Sequence, residues 1–359
     1  MISSQMTLDQ LRELLVGFKR LHLSWAFQFS KKLRLSGEPF PVVQQVALAD
    51  DQVLSLFSVS DNGTLVYRSG VPGSRRLAWY ARDGAHVGWI GEPGRYKDLS
   101  LSPDEKRVAV VRRGVTYEIW TIELSTDVST RLTDRLNVMN PVWSPDGREL
   151  GFMAWPEIPR WELYRRVVGG GGEELLFAAN DEMFRRQWLK DGSIVFGLSD
   201  AGEGGRAIYR LGTAGKQQPS LLLKTESGKD SPQVSPDGRW VAYQSDESGR
   251  FEVYLAAFPA FTEKRRVSNG DGYQPLWRKD GKELFYLTVD GKVMSVNVKG
   301  GARAKTDVPR VLFQGPARVE PKWGAYSVTG DGKKFIFLEP VETKRPFTVV
   351  LNWTTGLKK

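Results

Sequence analysis

The sequence has no cysteine, so a disulfide framework and any thiolate metal site are excluded. That absence does not fix the compartment, because a protein outside the cytoplasm can also lack disulfides. Histidine is nearly absent as well. His22 and His86 are the only two, and neither accompanies a Gly-x-Ser-x-Gly turn. A Ser-His-Asp hydrolase set is therefore not expected, and a surface or packing role is expected for both imidazoles. No run of ~18 uncharged apolar residues occurs, which excludes a membrane-spanning helix. Helical periodicity is confined to the first thirty residues, where Leu8, Leu11, Leu15 and Phe18 share one face behind the potential cap Thr7. Asp9, Arg12 and Glu13 interrupt that stretch, so it does not read as a signal peptide.

Glycine and proline, by contrast, are plentiful, with 37 and 19 copies, and 40% of the chain is hydrophobic. Such a composition fits a turn-dense β protein with a large core. One stretch organises it. Val142-Trp143-Ser144-Pro145-Asp146-Gly147-Arg148-Glu149-Leu150 recurs seven times in full or partial form, centred on Asn62, Asp104, Asp146, Asp191, Asp237, Asp280 and Asp331. Successive copies lie 42, 42, 45, 46, 43 and 51 residues apart, the period of a blade-by-blade propeller.

The motif's chemistry explains its turn. Proline presets φ, the short Asp carboxylate can bond nearby backbone N–H groups, and glycine takes the left-handed position that follows. These seven residues therefore have a structural explanation before any catalytic one. After each turn comes a short β-branched or aromatic run, such as Val108-Ala109-Val110-Val111 or Val241-Ala242-Tyr243. A third run follows, such as Glu118-Ile119-Trp120-Thr121, and then a more polar fourth, such as Ser129-Thr130-Arg131-Leu132-Thr133. Four strands per repeat make one blade.

The expected fold is an all-β, seven-bladed propeller of four-stranded antiparallel blades. Residues 1–37 read as an N-terminal extension with a possible short helix, and residues 38–359 as a single propeller domain. The last repeat ends after its third run, Thr348-Val349-Val350-Leu351, so residues 39–44 are expected to supply its missing outer strand and close the ring. An eight-bladed count stays open, because Leu21–Phe27 reads as a strand that an extra blade would use.

The formal charge of +9 invites a nucleic-acid reading. Its basic pairs, among them Arg75-Arg76, Arg165-Arg166 and Arg185-Arg186, are scattered over all repeats beside Asp and Glu, which favours a solvated basic surface over a nucleic-acid partner. Gly169–Gly172 lacks the strand-to-helix context of a phosphate loop and reads as a flexible loop. Single carboxylates every ~45 residues do not make a calcium loop, so neither a metal nor a cofactor is expected.

The Ser-Pro-Asp-Gly repeats followed by Arg-Trp-Val-Ala-Tyr resemble the TolB-like propellers. More narrowly, Ser245–Tyr254, Gln274–Tyr286 and the ending Val350–Thr354 resemble the C-terminal propeller of bacterial membrane-anchored serine/threonine kinases. That resemblance implies a sensory or protein-binding module, extracytoplasmic in a longer anchored protein and cytoplasmic for this chain as it stands. Kinase chemistry is not implied, because the Gly-rich loop with its strand Lys, the His-Arg-Asp loop and Asp-Phe-Gly are all missing. The N-terminus looks shortened against such relatives.

The function expected is that of a noncatalytic, monomeric protein- or peptide-binding propeller. The alternative is a hydrolase or lyase using carboxylates at the channel mouth. Candidate binding residues are those just before the innermost strands, Asp98, Asn140, Arg185, Ser231 and Gln274, together with the loop residues Tyr96, Trp155, Arg160 and Tyr273.

Overall fold

The computed structural model describes residues 23–29, 35–44, 46, 57–60, 64–68, 73–135, 137–157, 160–199, 206–215, 218–301, 303–316, 324–341 and 347–352. Among them every regular element is a β-strand, in antiparallel sheets. The expected helix around residues 7–18, Asn62 and His22 lie outside the described residues.

The chain divides into two compact units, 75–340 and the two ends, 1–74 with 341–359. This division differs from the expected boundary at residue 37.

Six sheets fill the unit 75–340. The inner strands Tyr96–Leu101, Val138–Trp143, Met183–Trp188, Lys229–Val234 and Tyr273–Trp277 each begin a sheet whose strands follow in sequence order. The sixth is a composite in which Tyr326–Val328 and Lys334–Pro340 are continued outward by Arg75–Ala81 and His86–Gly94. Its central pairing runs from Lys334 against Ala81 to Pro340 against Arg75.

Six apolar clusters join these sheets in a closed cycle. Ala109, Val111 and Ile119 of one sheet pack with Val138, Leu150 and Phe152 of the next. Further clusters link Met153 to Ile194, Val195 to Val241, and Ala242 to Leu284. Phe285 and Val293 of the last sequential sheet then meet Phe335 and Tyr80 of the composite, and Ile336 of the composite meets Val110 of the first. Tryptophan edges tie the same seams. Trp143 Nε1 donates to Ser100 O and Trp277 Nε1 to Gln233 O, each at 2.9 Å.

The ring thus has six sheets where the repeat count leads one to expect seven blades. The first copy of the motif, centred on Asn62, falls between Phe57–Val59 and Leu65–Arg68, which pair with each other in the other unit, where Leu65–Arg68 also pairs with Phe347–Val350. Two strand assignments are corrected with it. Leu77–Tyr80 continues the last repeat, and the run at 348–350 does not. Residues 39–44 do not close the ring, because Leu35–Gln44 pairs with Leu23–Phe29. Burial explains the exchange. Leu77 and Ala78 are fully buried, as a strand inside a ring must be, whereas Phe347 and Val349 are exposed.

The turn motif forms the same hydrogen-bonded cap at successive sheets. Ser144 Oγ donates to Asp146 Oδ1 at 2.6 Å and accepts Glu149 N at 2.8 Å, while Arg148 N donates to Asp146 Oδ1 at 3.0 Å. Ser102 with Asp104, Ser235 with Asp237 and Thr329 with Asp331 repeat it. Asp191 takes its hydroxyl from Ser193, and Asp280 takes Arg278 instead. The hydroxyl bond is the main reason the carboxyls of Asp104, Asp146 and Asp331 are held below the usual carboxylate range.

A lowered folded pKa contributes stability that is present above the unfolded value of about 4 and is lost as the pH falls through the folded value. Melting temperature should therefore drop more steeply between about pH 4 and pH 2 for the native chain than for a D104N/D146N/D331N variant, whose turns no longer titrate. A second outcome concerns ring closure, where Gly324 N donates to Asp98 Oδ1 at 2.8 Å. A Cβ on Gly324 would lie 2.0 Å from that oxygen. Gly324→Ala should cost about 1–3 kcal/mol in urea unfolding, as overpacking does.

Candidate functional site

The first residues of the inner strands are irregular in a repeated way. Register shifts occur at Tyr96/Asp98, Met139/Val142, Met183/Arg186, Asp230/Gln233 and Tyr273/Leu276. Such bulges turn a strand and re-aim its side chains. At three of them a non-glycine residue takes the left-handed region: Asn140 at φ 51°, Ser231 at 54° and Gln274 at 54°. Each costs on the order of 1–3 kcal/mol and persists only where its surroundings hold it.

Between the inner strands lies a cavity of about 670 Å³, lined by all six of them. Its two ends differ. At the strand starts the lining is mostly buried, with Asp98 4%, Asn140 8%, Arg186 6% and Tyr326 3% exposed, and Arg185 half-buried. At the turn side Pro103, Glu105, Pro145, Lys190, Asp191 and Lys279 line it and are exposed. The strand starts therefore form a floor, and the turns form the open rim.

Of the nine candidate residues, Asp98, Asn140 and Arg185 line this cavity. Ser231 and Gln274 sit at the corresponding bulges, both 2% exposed. Gln274 is engaged in closing the ring: its Oε1 accepts Ala325 N at 3.1 Å and its carbonyl accepts the Tyr326 hydroxyl at 2.9 Å. The other four are elsewhere. Tyr96 donates its hydroxyl to Glu92 O, Trp155 packs between Tyr117 and Trp161, Arg160 is exposed beside Glu162, and Tyr273 packs on Phe251. None of these four is a cavity residue.

Arg186 and Tyr326 complete the floor without having been expected there, and Asp230 lies outside the cavity lining, within the field of Arg185. Adjacent residues of a regular strand face opposite sides, but the bulge at Arg186 lets both arginines of the pair line the cavity. The adjacent basic pair was the available signal, read instead as surface charge.

The floor is electrostatically loaded. Burial pushes the Asp98 carboxyl up, opposed first by the charge of Arg185 and then by N–H bonds from Gly324 and Leu99. Burial likewise pushes Asp230 up, opposed first by Arg185 and then by Arg206, whose Nη1 lies 3.7 Å from Asp230 Oδ2. Arg185 is thus felt by both buried carboxyls. Arg186 donates Nη2 to Asn140 O at 2.7 Å, and burial lowers its pKa to about 9, which leaves it cationic at neutral pH.

Several buried polar atoms of this floor have no partner, Arg185 Nε and Nη2, Arg186 Nε and Asn140 Oδ1, and beside it, outside the cavity lining, so does Ser231 Oγ. Native structures rarely leave such groups unsatisfied, so an orphaned cluster marks a place where water, an ion or a ligand belongs. The two guanidinium side chains and the titratable carboxyl of Asp98 can hold an anionic group and move a proton beside it. Among the described residues no three His, Asp or Glu side chains are grouped as a metal ion would require. Nor is any described helix long and apolar enough to cross a membrane.

No family model matches the chain. By sequence it is similar to "Uncharacterized peptidase YuxL" of Bacillus subtilis, 26% identical over a match covering 44% of this chain and 31% of that protein. The chain therefore spans about a third of the length of this curated relative. The expectation that the protein is not an enzyme is corrected by this relative, whose printed name is that of a peptidase.

Among solved structures it is similar to putative TolB from Agrobacterium tumefaciens, with a TM-score of 0.59 and 17% identity, over 75% of this chain and 99% of that one. It is also similar to an oligogalacturonate lyase in complex with manganese, with a TM-score of 0.50 and 15% identity, over 82% of this chain and 94% of that one. These likenesses carry the resemblance to the TolB-like propeller and give none to a kinase-linked propeller. They show the fold, and the fold is a TolB-like β-propeller.

Proposed function

We propose that this protein is a hydrolase or lyase that cleaves a carboxylate-bearing chain by acid–base chemistry on the floor of the propeller cavity. The observation that carries the reading is the Arg185 guanidinium, which is half-buried, acts on two buried carboxyls and has two N–H groups without partners. In this role Arg185 binds a substrate anion, and Asp98 transfers the proton.

The coupling between them gives the reading a mechanism. Arg185 favours the ionised form of both carboxyls. An anion bound to it cancels part of that field, so the carboxyls hold a proton more tightly when substrate is present. Burial and a bound anion thus act in the same direction, and a carboxyl raised in this way is suited to protonating a leaving group. Two further points support an enzymatic role: the sequence relative is a named peptidase and one structural relative is a named lyase. With two histidines and no Gly-x-Ser-x-Gly turn, acid–base cleavage fits this chain better than an acyl-enzyme route.

A second reading is favoured by the 31% coverage of the peptidase relative. In it the propeller holds substrate for a hydrolase domain that this sequence does not carry.

Turnover by the purified chain separates the two, using chromogenic peptides and oligouronates as substrates. The first reading expects turnover by the chain alone, with Asp98→Asn lowering kcat by about 10²–10⁴-fold, as loss of a general acid or base does. Arg185→Gln should mainly raise KM and move the alkaline limb of the kcat/KM profile to higher pH, because the Arg185 charge opposes protonation of Asp98. Absence of turnover on every substrate, with all variants folded, would remove the first reading and leave the second.

A further inference from the structure

The orphaned atoms of the floor and beside it are mostly donors: two from Arg185, one from Arg186 and the Ser231 hydroxyl, against the single acceptor Asn140 Oδ1. All are buried, and they come from three successive inner strands, Val138–Trp143, Met183–Trp188 and Lys229–Val234. Asn140 and Ser231 are moreover held at left-handed φ, a conformation that aims this part of the backbone at a cost. Arg186 is tied to the neighbouring strand through Asn140 O, whereas no hydrogen bond holds the Nε or Nη2 of Arg185. Such a set matches a carboxylate, whose two oxygens offer about four lone-pair sites and bind guanidinium strongly. One donor close to that carboxylate would satisfy Asn140.

Above the floor the wall changes character. Between the floor and the exposed rim the lining is mixed: Leu99, Val142, Val234, Leu276 and Val328 alternate with Ser100, Gln187, Gln233 and Ser327. A mixed wall of this kind can pair the backbone groups of a peptide and pack its side chains. A volume of about 670 Å³ lies within the range of small-ligand pockets and suits a short peptide.

We propose that the cavity is a receptor for the free C-terminal carboxylate of a peptide, which enters from the turn-side rim and lodges its terminus on Arg185 and Arg186. The last peptide N–H of such a ligand is the donor that Asn140 Oδ1 lacks. This inference rests on the floor as the substrate site, and it makes cleavage there exo-acting, from the C-terminal end.

The test is a binding measurement, separate from turnover. Two pools of N-dansyl tetrapeptides with random side chains, one ending in the free acid and one in the amide, are titrated by fluorescence anisotropy against the native chain and Arg185→Gln. The acid pool should bind at least tenfold tighter than the amide pool. Arg185→Gln should erase that difference while melting at the native temperature. Asn140→Asp, which places an anion on the floor and keeps its shape, should weaken acid binding without weakening the amide pool. Equal binding of the two pools, no binding of either, or binding of trigalacturonate in preference to both would overturn the proposal. Acid-selective binding without turnover would keep this inference and remove acid–base cleavage by the chain. Turnover with no preference between acid and amide would do the reverse.

Discussion

The structure of residues 75–340 depends on one pairing, Lys334–Pro340 against Arg75–Ala81, between segments about 250 residues apart. A β-sheet with an open edge presents unpaired N–H and C=O groups, and a ring removes that edge only if its last sheet is completed from elsewhere in the chain. The composite sheet does this without a covalent tie, in a chain that has no cysteine. Aromatic packing reinforces it. Phe335, Phe337 and Tyr326 of the late segment pack with Tyr80 of the early one and with Phe285 and Phe313 of the preceding sheet.

Closure also reaches the floor of the cavity. Asp98, a buried carboxyl of the candidate site, accepts Gly324 N from the late segment, and Gln274 binds both Ala325 N and the Tyr326 hydroxyl. Of the groups proposed to act on substrate, Asp98 is thus held by a bond that joins the ends of the ring. A preorganised charge arrangement of this kind is maintained by the fold and costs little reorganisation when a ligand arrives. The bulges serve the same end, since they set consecutive polar residues on one side of strands that are otherwise apolar.

Much of this was legible in the residues. The turn motif has a local mechanism, and the structure builds the same cap around Asp104, Asp146, Asp237 and Asp331. The candidate positions at the starts of the innermost strands were legible too, and Asp98, Asn140 and Arg185 among them line one cavity. Tyr96, Trp155, Arg160 and Tyr273 do not join them, because their ring and ion-pair partners lie outside the cavity lining. Asp230 and Arg186 escaped notice for a complementary reason. A bulge adds a residue to one strand without altering the hydrophobic pattern, so the direction of a side chain beside it has no periodic signature.

Local chemistry therefore determined the strands, their turns, the repeat and the all-β propeller class, since each of these is settled within about ten neighbouring residues. What the tertiary structure alone decided was the number of sheets in the ring, which segment completes the last one, and which end of the cavity is open. Those depend on pairings between distant segments, where several apolar runs compete for one buried edge and the run that can bury both faces takes it. The run at 77–80 could do so and that at 348–350 could not, a difference that appears only when each meets its neighbours.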